Sequence, residues 1–258
     1  MMCLIKRLFS VLLIVTFCAG FSGCSDNEKK GLTTQEGKLI WGTNATFEPY
    51  EYMEGDKVVG IDAEIADAIA EKLGLVAQVE NMEFTMVIPA LVTNKIDMGL
   101  SGITVSDERK RNVDFSDTYY DAGQSIVVRK DSDIKSASDL QGKVIGVQSG
   151  TTGDEYVSDP ETGVNPASVE RFSSAPDAAQ SLNTKKIDAV VIDDGPAQKL
   201  VEANDKLTKL QEKLTSEEYA IAIKKDNTEL LNAVNEAIRE MKESGQLQQI
   251  IDKYFAEQ

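Results

Sequence analysis

Histidine is absent from this 258-residue chain. Without imidazole, no Ser-His-Asp or Cys-His catalytic set can be assembled, and no histidine-ligated metal site either. Cysteine is almost as scarce. Cys3, Cys18 and Cys24 are the three, so the chain beyond Cys24 has no disulfide and no cysteine-ligated metal. Basic residues are few, with 27 Lys and Arg against 43 Asp and Glu and a formal charge of −16. That balance argues against nucleic acid and anionic membrane surfaces as partners. Long apolar runs are limited to one stretch, Leu8 to Ala19, which is too short to span a bilayer as a permanent helix.

That stretch follows Lys6 and Arg7, the order of a secretory n-region and h-region, so residues 1–23 read as a signal peptide. It ends at Phe21-Ser22-Gly23-Cys24, which resembles the bacterial lipobox, with Phe21 in place of the usual leucine. Cys24 is then the lipidation site, and removal of residues 1–23 takes the charge to −18, since Lys6 and Arg7 leave with no acid. Residues 24–37 are polar, contain two glycines and carry no periodicity, as a flexible tether does. The folded body is Lys38–Gln258, long enough for one large domain or two smaller lobes.

The body alternates strand and helix patterns. Lys38–Gly42, Val76–Glu80 and Ile96–Leu100 read as strands, and Asp62–Leu73 and Thr85–Thr93 as helices. The class is α/β with a largely parallel sheet. A strand–helix–strand unit running from Val79-Glu80 through Pro89 to Lys95-Ile96-Asp97 recurs from Val169-Glu170 through Pro176 to Lys186-Ile187-Asp188. Two copies point to two similar lobes. Two amphipathic helices close the chain, their stripes suited to docking on a core.

Gly99–Arg109 (GLSGITVSDER) is the stretch around which the rest is organised. It nearly matches the G-x-S-x-G nucleophile elbow, but Ile103 fills the last glycine and no histidine exists to activate Ser101. What remains is a loop of small polar residues, Ser101, Gly102 and Thr104, followed by Arg109 behind the cap-forming Ser106. A guanidinium there is shaped to grip a carboxylate with two parallel hydrogen bonds. An exposed arginine after a polar loop is the plainer alternative.

Taken together, Trp41–Tyr52, Gly60-Ile61-Asp62, Ile88–Leu91, Ser101–Arg109, Val113–Ser116 with Tyr119-Tyr120, Gly146–Thr152 and Asp188–Asp193 resemble family 3 solute-binding proteins. These are the polar amino-acid receptors of ABC importers. The resemblance covers essentially all of the body. It implies a two-lobed periplasmic-binding-protein-like fold (type II) with two crossover strands and the ligand in the inter-lobe cleft. Lobe 1 is expected over 38–120 plus 220–258 and lobe 2 over 121–219, with crossovers near Tyr119–Gly123 and Glu217–Ala220.

By the same resemblance Arg109 holds the ligand's α-carboxylate, helped by Ser101, Gly102, Thr104 and Thr152. Thr152 suits the role because Ser149–Thr152 should lie at a helix N-terminus, where free N–H groups favour an anion. Asp193 takes the ammonium, and Phe47 and Phe84 pack on the aliphatic part, with plain core packing as their alternative. Asn44 and Gln148 stand where the family's glutamine receptors carry an aspartate and a lysine. Two neutral amides favour an uncharged polar side chain, and a basic one stays open. Glu48, Glu51 and Glu83 are near in sequence and are expected to be solvated.

The implied function is a lipid-anchored, extracytoplasmic receptor, monomeric and without cofactor or metal, that passes a free amino acid to a membrane permease. The alternatives are a cyclohexadienyl dehydratase-like enzyme, for which Asp193 would be the acid or base, and a sensory amino-acid receptor.

Overall fold

The computed structural model describes residues 31–256. The signal peptide, Cys24 and the first part of the tether lie outside the described residues. The first strands are β1 (Lys38–Thr43), the short β2 (Thr46–Phe47), β3 (Glu51–Glu54) and β4 (Lys57–Val59). Helix α1 (Ile61–Lys72) follows, then β5 (Val76–Asn81), α2 (Phe84–Val92), β6 (Met98–Gly99), β7 (Val113–Ala122) and β8 (Gln124–Arg129). Next come β9 (Val144–Gln148), α3 (Thr152–Ser158), β10 (Ser168–Phe172), α4 (Ala175–Asn183) and β11 (Ala189–Asp193). The chain closes with α5 (Asp194–Glu202), β12 (Leu207–Lys213), β13 (Glu217–Lys224), α6 (Thr228–Ser244) and α7 (Gln246–Ala256).

Two five-stranded sheets form, in the orders β5-β1-β6-β13-β7 and β10-β9-β11-β8-β12. The fold is thus α/β and two-lobed. The sheets are mixed, because β13 runs antiparallel to β6 and β7, and β8 runs antiparallel to β11 and β12. The reversal is a consequence of chain path. Strand β7 passes from the first sheet into β8 of the second through Gly123, and β12 returns to β13 through Leu214–Ser216.

The internal echo has a shared physical core. In each sheet the echoed strands flank one central strand in parallel, β5 and β6 beside β1, and β10 and β11 beside β9. Asp97 accepts a hydrogen bond from the Ile40 N–H of β1 at 2.7 Å, and Asp188 accepts one from the Val144 N–H of β9 at 2.9 Å. A Cβ on Gly42 would lie 2.4 Å from Ile96 Cδ1, and one on Gly146 would lie 2.4 Å from Ile187 Cδ1. The repeated Lys-Ile-Asp therefore seats an isoleucine over a strand glycine and ties the same strand with its aspartate.

Helix α1 shows how sequence builds the packing. Ile61, Ile65 and Ile69 recur on one face and are fully buried, each stabilising the fold by about 1.5–3 kcal/mol. Gly74 follows at φ 67, a left-handed turn that ends the helix and starts β5. At the other end of the chain, Phe255 of α7 stacks on Tyr120 at 5.9 Å, and Tyr50 meets Tyr120 and Tyr219 edge-on at 5.1 Å each. Within this layer the Tyr219 hydroxyl donates to Asp193 at the end of β11.

Candidate ligand-binding site

The carboxyl ends of β1, β6, β9 and β11 converge, the usual place for a ligand in sheets with parallel strands. Phe47, Phe84, Ser101, Gly102, Thr104, Arg109, Gln148, Thr152 and Asp193 line one cavity, together with Glu51 and Thr151. Nine of the ten expected ligand contacts are thereby brought to one place. Asn44 stands just behind the lining: its Nδ2 donates to the Met82 carbonyl and its Oδ1 accepts from Gln148 Nε2 at 2.9 Å. The lining leaves a cavity of about 10 Å³, room for roughly one water.

Arg109 begins a single 3-10 turn, Arg109–Arg111, its N–H bonded to Ser106 Oγ. The side chain is buried, so it is not the exposed arginine of the plainer reading. Its Nη1 donates to the Thr104 carbonyl at 2.8 Å and its Nη2 to the Gly150 carbonyl at 3.0 Å. The guanidinium carbon lies 5.3 Å from the centroid of Phe84, in cation–π range. Burial lowers the Arg109 pKa, while Glu155, Asp193 and Glu217 act against that by their negative charge.

Gly102 sits at φ 51, and a Cβ there would press on Phe47 at 3.0 Å, so backbone and neighbour both demand glycine. Its N–H donates to Asp62 Oδ2 at 2.8 Å. Ser101 Oγ accepts from the Asn44 N–H and donates to Glu51 Oε1 at 2.8 Å. Thr152 is the first residue of α3, with Thr151 as its cap accepting from the Asp154 N–H. The Thr104 and Thr152 hydroxyls both donate to Glu217 Oε2, at 2.8 and 2.7 Å. Asp193 ends β11 and accepts from the Tyr219 hydroxyl at 2.6 Å.

Glu51 is the correction. Glu48 and Glu83 are solvent-exposed as expected, but Glu51 is fully buried and lines the cavity. The β2–β3 hairpin turns it inward, onto Ser101 and beside Asp62 of α1. Sequence proximity could not show this, because the facing of Glu51 is set by its pairing with the two-residue β2, which offers no alternation to read. Glu217 and Tyr219 were also missed as site residues; they lie at the start of β13, just after the return crossover, in a stretch that carries no motif of its own.

The cleft's electrostatics follow from burial. Desolvation, chiefly, and the neighbouring Asp62 push the Glu51 carboxyl well above its usual range, against the Ser101 hydrogen bond. Asp62 is raised to about 6 by burial, opposed by its bonds from Gly102 and Tyr119. Asp193 is raised to about 6 by burial and by Glu217. The cavity thus gathers Glu51 and Asp193 around a single lining cation, Arg109.

Such a cleft, walled by strand ends from two sheets and lined by one arginine together with buried carboxyls, has the form of a small-molecule site in a two-lobed protein. Residues 39–257 match the bacterial extracellular solute-binding proteins, family 3, and the chain belongs to that family. It is 38% identical over 252 residues to the arginine-binding extracellular protein ArtP of Bacillus subtilis (strain 168), covering 95% of this chain and 97% of that one. It is 33% identical over 250 residues to the L-cystine-binding protein TcyJ of Escherichia coli (strain K12), covering 95% and 93%. Among solved structures, the P235GK mutant of ArgBP from T. maritima superposes with a TM-score of 0.81 at 42% identity, over 86% of this chain and 96% of that one.

Proposed function

We propose that this chain is the substrate-binding lipoprotein of an ABC importer, capturing a cationic amino acid by lobe closure and delivering it to the permease. The observation that carries the cationic assignment is Glu51, a buried carboxyl in the cavity wall. Two neutral amides at Asn44 and Gln148 favoured an uncharged ligand. In the fold these amides bond to each other, which removes that argument. The arginine-binding names of relatives support the change.

In this reading Arg109, with Ser101, Gly102, Thr104 and Thr152, holds the α-carboxylate, and Asp193 holds the ammonium. Phe47 and Phe84 flank the aliphatic stem, and Glu51 receives the cationic end. A cavity of about 10 Å³ cannot admit an amino acid while closed, so entry requires the walls to part, with lobe 1 (38–120 plus 220–258) rotating against lobe 2 (121–219). The ligand is bound and released unchanged, and closure is driven by contacts made with both walls at once. Cys24 anchors the mature chain by its lipid on the extracytoplasmic side.

Calorimetry with L-arginine, L-lysine, L-glutamine and L-cystine tests the assignment. Cationic amino acids should bind tightest. Equal or tighter binding of glutamine would remove the cationic assignment, and product formed from prephenate or arogenate would make the chain an enzyme. Release of Cys24→Ala protein from the membrane fraction tests the anchor.

A further inference from the structure

Glu217 has a position that the amino-acid reading leaves unexplained. It is the first residue of β13, immediately after the return crossover, and is half-buried. Its Oε2 accepts the hydroxyl of Thr104 at 2.8 Å and that of Thr152 at 2.7 Å. Thr104 belongs to the wall beyond β6, bridged to Tyr219, and Thr152 to the wall beyond β9. The other oxygen, Oε1, accepts from Thr215 Oγ1 at 2.7 Å, within the crossover itself. Thr215 Oγ1 also accepts from the N–H of Gln124, the first residue of β8 after the outgoing crossover, and Gln124 Nε2 lies 3.1 Å from Thr152 Oγ1 and 3.4 Å from Glu217 Oε2.

We infer that Glu217 is a positioning residue, an internal carboxylate that latches the two walls together at the hinge end of the cleft until an amino acid's α-carboxylate displaces it. The argument is one of proton count. A threonine hydroxyl has one proton to donate, and Glu217 takes it from both Thr104 and Thr152. An incoming carboxylate has only acceptor oxygens, so the same two hydroxyls cannot serve it and Glu217 together. The two carboxylates also repel each other in a partly desolvated cleft. Charge-assisted bonds of this kind are among the stronger ones, so the latch favours the closed arrangement and slows entry. The inference rests on the reading in which Thr104 and Thr152 hold the ligand's carboxylate.

The test combines ligand-free solution scattering with stopped-flow binding of L-arginine to the mature chain, its Glu217→Ala variant and its Glu217→Gln variant. The alanine variant should show a larger radius of gyration without ligand, and an association rate raised about tenfold, which corresponds to about 1.4 kcal/mol. Dissociation should change little, since the bound state no longer uses Glu217. Glutamine keeps the shape and an acceptor oxygen without the charge, so Glu217→Gln should move both readouts the same way by less, and it serves if the alanine variant fails to fold. Unchanged scattering and association in the folded variants would overturn the latch. Slower association, or faster dissociation without opening, would also overturn it and make Glu217 a simple structural support. Should the wild-type chain not bind L-arginine, the cationic assignment fails, while ligand-free scattering still decides the latch.

Discussion

Gln148 Nε2 donates to Asn44 Oδ1 at 2.9 Å, joining the end of β9 to the end of β1. Both residues are buried, at 3% and 6% exposure, so the bond is shielded from competing water. Asn44→Ala leaves the Gln148 amide only its 3.4 Å contact with the Ser173 carbonyl. Losing one such bond costs about 0.5–1.5 kcal/mol, so L-arginine affinity should fall by roughly 3- to 10-fold. Calorimetry checks this, and wild-type affinity would show that the amide pair does not contribute to closure.

Arg109 is expected to tolerate no replacement, lysine included. Its guanidinium reaches two carbonyls, those of Thr104 and Gly150. A point-charge ammonium cannot reproduce that planar fork. Arg109→Lys and Arg109→Ala should each weaken binding by about 30-fold or more, as removal of one partner of a buried charge pair does. Affinity within a factor of about three of wild type, a loss under one kcal/mol, would remove Arg109 from the carboxylate site.

The buried acids set an unusual pH dependence. Asp193 is held at about 6 against an ordinary 3.8, so the folded chain keeps a proton that the unfolded chain has lost. Its stabilising contribution is present below about pH 4 and is lost as pH rises through 6. Between pH 5 and 7.5 the ligand-free protein should lose about 1–1.5 kcal/mol from this group, with Asp62 acting in the same direction. Asp193→Asn should flatten the slope of melting temperature against pH. A slope identical to wild type would show that Asp193 is ionised throughout.

Gly123 marks the outgoing crossover, where a Cβ would lie 2.4 Å from the Thr215 carbonyl oxygen on the return crossover. That oxygen is backbone and has no rotamer to escape into. Gly123→Ala should therefore cost about 1–3 kcal/mol, as overpacking does. Thermal unfolding checks it, and an unaltered melting temperature would mean that the two crossover segments separate freely.

Much of this arrangement was legible in the chain, for identifiable reasons. Helix α1 was readable because its isoleucines recur at the helical period and Gly74 ends it, placing the prediction within one residue at each end. The paired lobes were readable because the Lys-Ile-Asp unit performs one mechanical task twice, at Gly42 and at Gly146. Most of the lining could be named because its short motifs resemble those of family 3 solute-binding proteins. Glu51 escaped because a hairpin only two residues wide decides which way it faces. Glu217 escaped because its partners, Thr104, Thr152 and Thr215, come from three separate segments, and only the closed chain path brings them together. The mixed sense of the sheets was hidden in the same way, since strand direction depends on where β7 and β12 cross over.

The lone cavity cation among buried carboxyls has a further consequence, for how the protein registers its surroundings. Glu51, Asp62 and Asp193 are carried at the cost of desolvation, and the proposed cationic guest would supply a positive charge among them. Under the proposed function the cargo would act as one more buried component of that interior. Occupancy then adds to folding stability as the logarithm of free ligand concentration over its dissociation constant, about 2.7 kcal/mol at a hundredfold excess. The melting temperature of the purified chain would then be a gauge of free ligand, and its resistance to proteolysis would rise and fall with the same quantity.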